Sequence, residues 1–198
     1  FENRKNWMRA LAVTNQLLEI FEEAPYYLLF NKAEFLAELG RFDEANTIID
    51  ELDEKVNDKE RIKLARAGIL CEQEKEADAL EIYESFDKGS RFYRQILHKK
   101  ADIKLTLGRI EESHADLLEL LDTNIMVAVQ LINSKNYKPD DAIIEKLKLI
   151  APLEADPEVF QLEQNQVNLR SALLQLFENR KNWMRALAVT NQLLEIFE

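Results

Sequence analysis

The sequence predicts an all-α fold made of consecutive antiparallel helix hairpins. Leu, Ala, Glu, Lys and Gln, which are good helix formers, dominate the chain of 198 residues. Only 4 Gly and 4 Pro occur, and an all-β fold would need more of both for its turns. Apolar residues recur at helical spacing in one segment after another, and no alternating strand pattern interrupts them.

In the first half of the chain, the predicted helices are separated by residues that start or stop a helix. Trp7, Leu11 and Phe21 fall at helical spacing in the opening segment. Pro25 ends that helix and opens the next, because proline is tolerated in the first helical turn. Gly40 stops the second helix, since glycine tolerates a positive φ. The helices predicted here are 6–22, 25–39, 42–54, 59–73 and 76–86.

The second half shows the same punctuation. Gly89 and Gly108 lie in breaks, and Pro139 and Pro157 stand at predicted helix starts. Ala151-Pro152 marks a further break. The helices predicted here are 90–107, 109–122, 124–134, 139–150, 157 to about 179, and a last one over 177–198, which makes about eleven in the chain.

The chain begins and ends with the same residues. Positions 1–22 return unchanged as 177–198, an offset of 177 − 1 = 176. The other repeats share only a few positions each, so an unchanged copy is typical of a recent tandem duplication or of deliberate engineering. Either origin makes the residues between the copies one period of an array that can continue.

Small and apolar residues recur with a period of 34 between the two copies. Ala33, Ala67 and Ala101 are separated by 67 − 33 = 34 and 101 − 67 = 34. Small residues at fixed positions let two helices approach closely, and large apolar residues beside them fill the remaining space. The same step relates Ala45, Ala79 and Ser113, relates Ile49, Tyr83 and Leu117, and over two periods relates 40–45 to 108–113.

A helix–turn–helix repeat of 34 residues resembles the tetratricopeptide repeat. The resemblance is closest over 26–59, weaker over 60–93 and intermediate over 94–127. It implies a right-handed α-solenoid in which 1–198 form a single superhelical domain, with first helices along a concave groove and second helices outside. The residues that match the family signature in 26–59 are Leu29, Ala33, Leu36, Gly40, Phe42, Ala45, Ile49 and Leu52.

The resemblance also implies which residues face the groove. The clamp that some family members use for acidic C-terminal tails requires Lys or Asn where this chain has Phe30, Glu34, Ala65 and Gln95, so we do not expect that mechanism here. The groove-facing candidates are Tyr27, Phe30, Glu34, Arg61, Leu64, Gln95, His98 and Asp102.

A basic run adds two candidates to the binding surface. Arg91, Arg94 and His98 share a face of the predicted helix 90–107 and suit an acidic peptide. The alternative is a solvated face whose charge is balanced by neighbouring Glu and Asp residues. The aromatic residues also allow two interpretations. They form either a hot spot for peptide binding or part of the hydrophobic core. These residues are Tyr26, Tyr27, Phe30 and Phe35.

The charge and composition of the chain disfavour several classes of partner and location. A net charge of −11 argues against nucleic acid and anionic membranes, which attract basic surfaces. No apolar run approaches the roughly 18 residues of a membrane span, so we expect no membrane insertion. Cys71 is the single cysteine, which excludes an intrachain disulfide. No signal peptide is visible, so we expect a cytoplasmic protein, although the sequence begins at Phe1 and is compatible with a natural N-terminus upstream.

The sequence contains no pattern typical of a catalytic or metal site. It has no His-Glu-x-x-His, no paired Cys and no Gly-rich phosphate loop. His98 with Asp102, and His114 with Asp116, fall short of the three or four converging ligands that a metal needs. We therefore predict a non-enzymatic protein with no catalytic residue, cofactor or metal.

Two functions remain after these exclusions. The favoured one is a protein–protein interaction scaffold that binds a peptide or protein in the concave groove. The alternative is a self-assembling structural module in which helix 177–198 of one molecule engages helix 25–39 of the next, forming a head-to-tail homo-oligomer. A third interpretation of the copied helix is that it only caps the solenoid, or that the chain was cut from a longer tandem array.

Overall fold

Every described element of the computed structural model is an α-helix, which confirms the predicted all-α class. The structure describes residues 2–134, 140–150, 170–171, 173–175, 177–178 and 181–197, and no strand occurs in them. Helical residues are found between positions 170 and 178. The helices with defined bounds are α1 (Glu2–Ile20), α2 (Tyr26–Glu38), α3 (Phe42–Lys55), α4 (Lys59–Glu72), α5 (Glu76–Glu84), α6 (Tyr93–Thr106), α7 (Ile110–Thr123), α8 (Ile125–Ser134), α9 (Asp141–Ile150) and α10 (Trp183–Phe197).

The chain divides into two compact units, residues 1–93 and 94–198, and each is described by itself. In the first unit each of the helices α1 to α4 packs against the next one along the chain, and α2 also contacts α4. In the second unit α7 packs against both α8 and α9. Contact between alternate helices is what stacked helix hairpins produce. A single superhelical domain over 1–198 stays a prediction.

The residues that recur with a period of 34 form the interior, as their spacing predicts. Small side chains at these positions allow the helices to approach, and large ones fill the space beside them. Burial raises the pKa of the Tyr83 phenol, whose oxygen lies 3.9 Å from Cys71 Sγ. Leu70, one period after the buried Leu36, is half-buried. The other recurring small and apolar positions are buried, namely Ala33, Ala45, Ile49, Ala67, Ala79, Tyr83, Ala101, Ser113 and Leu117.

A residue with positive φ closes each of three hairpins. Gly40, Glu74 and Gly108 have φ values of 76°, 59° and 71°, and they lie one period apart. After Gly40 the amide of Arg41 donates to the carbonyl of Leu36 at 2.8 Å, which ends α2 in a Schellman-type turn. The equivalent bonds after the other two turns measure 2.9 and 2.8 Å. The second helix of each hairpin begins two residues after the turn residue.

The sequence echo between 40–45 and 108–113 has a structural counterpart. The Arg41 guanidinium donates two hydrogen bonds of 2.6 Å to the Glu44 carboxylate, and Arg109 pairs with Glu112 in the same way. These hydrogen bonds hold the pKa of both carboxyls below the usual range of glutamate. All four side chains are well exposed, so the pairs repeat the local geometry and add little stability.

The duplicated segment has two different local structures. In the first copy α1 runs through Lys5 without a break. In the second copy the equivalent residue, Lys181, has φ 55° and follows a helical stretch that includes Phe177. The amide of Asn182 donates to the carbonyl of Phe177 at 2.9 Å, and α10 begins at the next residue. The turn lies close to the predicted end of the preceding helix at about residue 179, whereas the predicted extent of the last helix, 177–198, is wrong because the turn divides it.

Several predicted boundaries lie outside the described residues, namely the helix starts at Pro139 and Pro157 and the break at 151–152. The predicted helix from 157 to about 179 also lies mostly outside them. The remaining predicted helices are present, with ends that differ by a few residues. Within the described parts of the chain, no helix has the length and apolar character required to cross a bilayer.

Candidate protein-binding surface

Two of the predicted groove residues in the first unit meet across α2 and α4. The guanidinium carbon of Arg61 lies 4.7 Å from the centre of the Phe30 ring, which is a cation–π arrangement. Phe30 is only 7% exposed and lies in the hydrophobic core with Leu11 and Ala33. Its predicted role therefore changes, because its ring is covered and supports the half-buried Arg61 instead of meeting a partner itself.

The other groove candidates of the first unit are more accessible. Tyr27, in the first turn of α2, is 57% exposed, and Glu34 is exposed on the same helix. Leu64 on α4 is half-buried. Tyr and Arg are the side chains that most often act as anchors in protein interfaces. The α2 and α4 residues thus offer a phenol, a carboxylate and a guanidinium to a partner.

Arg91 belongs to the turn before α6, not to the helix. The sequence predicts a helix from residue 90, but α6 begins at Tyr93, so the predicted sharing of a helical face with later α6 residues is wrong. The Arg91 guanidinium pairs with the Asp58 carboxylate. The other oxygen of that carboxylate caps α4 by accepting the Arg61 amide at 3.2 Å. Through its ion pair with the capping residue Asp58, Arg91 therefore stabilises the start of α4.

The remaining candidates lie on α6 in the second unit. Arg94 and Gln95 are exposed, whereas His98 and Asp102 are half-buried. A spacing of four places Arg94, His98 and Asp102 on one side of the helix. Burial lowers the pKa of His98, the charge of Lys99 lowers it further, and Asp102 opposes both. The imidazole is therefore mostly neutral at pH 7 and has one donor and one acceptor.

A buried ion cluster on α6 and α7 was missed by sequence analysis. The Lys104 ammonium donates to Asp116 Oδ2 at 2.8 Å, and Lys100 Nζ lies 3.6 Å from Oδ1 of the same carboxylate. Both lysines lie in the same helix as the basic candidates Arg94 and His98, for which a solvated face was one of the two interpretations, yet Lys104 and Asp116 are buried. The available signals were the spacing of four between the lysines and the position of Asp116 beside the repeat residue Leu117.

Among the residues that the structure describes, no three His, Cys, Asp or Glu side chains converge as a metal site would require. Comparisons with protein-family models, with curated proteins and with solved structures give no match to this chain. The resemblance to the tetratricopeptide repeat therefore rests on the residues and the period given above.

Proposed function

We propose that the chain is a non-enzymatic protein–protein interaction scaffold, a right-handed solenoid of helix hairpins that binds a peptide or protein segment along its first helices. The observation that carries the proposal is the contact of Arg61 on α4 with Phe30 on α2, which joins two consecutive first helices into one surface. Tyr27 and Glu34 add accessible groups to that surface. These groups suit recognition, and the proposed function requires no cofactor.

The chemistry of the surface defines the partner that we propose. The Arg61 guanidinium lies over the Phe30 ring, and this cation–π contact uses none of its N–H groups as hydrogen-bond donors, so they can donate to a carboxylate of the partner. Tyr27 suits an apolar or aromatic side chain. The net charge of −11 supports a protein partner over nucleic acid or an anionic membrane. A cytoplasmic location is part of the proposal, and the single cysteine is compatible with a reducing compartment.

Selection of peptides from a displayed library against the intact chain tests this function. Arg61→Glu reverses the charge that meets the partner, so selected peptides are expected to bind about tenfold more weakly or worse, as for the loss of a charge-assisted hydrogen bond. Tyr27→Ala is expected to weaken the same peptides by removing an accessible anchor. The measurement is the dissociation constant by titration calorimetry.

The matched control is Lys63→Glu, which makes the same change of charge on α4 at a position outside the groove candidates. It is expected to leave peptide affinity unchanged. Peptides that bind all three variants equally well, or a library that yields no binder, would show that the α2 and α4 surface is not a peptide site.

A further inference from the structure

The two copies of the duplicated segment bury opposite faces. Leu11 in α1 is 7% exposed, whereas Leu187, its equivalent in α10, is 59% exposed. Val13 is 54% exposed in α1, whereas its equivalent Val189 is 1% exposed in α10. Because the copies are identical, the same helix has two apolar faces, and each copy leaves open the face that the other one covers.

The first unit shows what fits the Leu11 face. α1 packs against α2, and Leu11 lies in the same core cluster as Phe30 and Ala33 of α2. The Trp7 and Phe35 rings stack with their centres 5.6 Å apart. A helix of this sequence therefore has a complementary surface on α2, formed by Phe30, Ala33 and Phe35.

α10 has the same sequence as the docked part of α1, and Leu187 and Leu194 of its equivalent face are exposed. We propose that the α2 surface beneath α1 is a docking site for α10 of a second copy of the chain, and that α1 is a tethered competitor that keeps this site covered. The proposal goes beyond the scaffold function, because the partner is another copy of this chain. The contact is heterologous, so repeated docking builds an open array, or a ring where the rotation between successive copies closes.

The tether decides which copy occupies the site in the intact chain. Residues 21–25 join α1 to α2, and so short a linker gives an effective concentration on the order of millimolar. A second copy at micromolar concentration is outcompeted about a thousandfold. When α10 replaces α1 on α2, the face of α10 that contains Leu187 becomes buried and the face of α1 that contains Leu11 becomes exposed. The exchange therefore buries no additional apolar surface. The intact chain is therefore expected to be monomeric at micromolar concentration.

The variant Leu11→Asp in the full chain weakens the competitor and leaves α10 unchanged. It is expected to associate at tens of micromolar and above, with an association constant raised about a hundredfold, because a buried leucine is lost from the tethered helix. That gain brings the dissociation constant from the millimolar range to about 10 μM. Leu187→Asp is the matched control, since it changes the equivalent residue where the side chain is exposed. Leu187→Asp alone and the double variant are both expected to be monomeric. Sedimentation velocity measures the mass of each species.

A synthetic peptide of residues 1–22 separates docking from non-specific aggregation. In excess it is expected to cover α2 and return Leu11→Asp to the monomer, whereas the same peptide carrying Leu11→Asp is not. If circular dichroism shows that Leu11→Asp has lost helix, Leu11→Ala, which adds no charge, replaces it. A folded Leu11 variant that stays monomeric at all concentrations, or one whose association persists with Leu187→Asp, overturns the proposal.

Discussion

Single side chains decide which parts of the candidate surface are open to a partner. Arg61 is held by stacking on Phe30, an interaction of about 0.5–2 kcal/mol that a bound carboxylate leaves in place. Arg91 is held by its ion pair with Asp58, which a partner carboxylate would have to replace. An exposed ion pair contributes only about 0–1 kcal/mol, so that replacement gains little. Arg61 is therefore the stronger candidate of the two arginines.

The imidazole of His98 makes stability depend on pH in a definite direction. Its pKa in the folded chain lies below the ordinary 6.5, chiefly because burial disfavours the charged form. As the pH falls below 6.5, the unfolded chain binds the proton more readily than the folded one, so the free energy of unfolding decreases until the pH passes the folded-state pKa. Urea denaturation on both sides of pH 6.5 measures this loss, and His98→Gln is expected to remove it.

Two neighbours of His98 provide controls of opposite sign. Lys99 lowers the pKa of the imidazole and Asp102 raises it. Lys99→Gln is therefore expected to reduce the loss of stability at low pH, and Asp102→Asn to increase it. The same pH dependence in His98→Gln as in the wild-type chain would show that another group is responsible.

At the scale of elements, the duplicated segment shows that local sequence does not decide between helix and turn. Lys5 and Lys181 have identical neighbours for four residues before them, yet only Lys181 has a positive φ. The turn at Lys181 closes on the carbonyl of Phe177, at the end of a helical stretch, whereas α1 continues through the same residues. Tertiary context therefore overrides the intrinsic preference of the segment.

Lys181→Gly and Lys5→Gly are the same substitution in the same local sequence, and we expect opposite effects. A residue with a side chain in the left-handed region costs about 1 kcal/mol that glycine avoids, so Lys181→Gly is expected to raise the free energy of unfolding by about that amount. Glycine inside a helix costs about 0.5–1 kcal/mol, so Lys5→Gly is expected to lower it. Chemical denaturation measures both, and changes of equal sign would contradict the two local structures.

The helices could be predicted from the sequence better than their ends could. Gly40 and Gly108 predict turns with positive φ, because glycine adopts a positive φ without strain. Glu74 and Lys181 form the same turn with no such signal, and only the period of 34 points to Glu74. In the second copy the predicted long helix ends at about residue 179, which places a break close to Lys181, but nothing in the sequence indicates that Lys181 itself adopts the positive φ.

The candidate surface was predictable only in outline. The repeat resemblance placed Phe30 and Arg61 on neighbouring first helices, and the structure brings them together. It could not show that one covers the other, because that depends on contact between residues far apart in sequence. The burial of Lys104 against Asp116 was missed for the same reason, since helical periodicity assigns charged residues to the solvent side.

At the scale of the whole chain, the two compact units contain the same repeat positions in their interiors. Ile49 and Leu117 are two periods apart, 117 − 49 = 68, and both are fully buried. Ile49→Ala and Leu117→Ala are each expected to lower the free energy of unfolding by about 2–5 kcal/mol. If the units open separately, hydrogen exchange is expected to accelerate mainly in residues 1–93 for Ile49→Ala and mainly in 94–198 for Leu117→Ala.

The pair of alanine variants also tests the single domain that the sequence predicts. Equal acceleration of exchange across both units, from either variant, would mean that the chain opens as one cooperative body. The two substitutions control for one another, because each removes a buried branched aliphatic side chain from the same repeat position.

The turn after each first helix is closed by its own residues. The amide after Gly40 bonds within 36–41, and the amide after Gly108 bonds within 104–109. These hydrogen bonds involve no residue of a neighbouring hairpin. Insertion or removal of one whole period of 34 residues would therefore leave the closing bonds of every other hairpin unchanged.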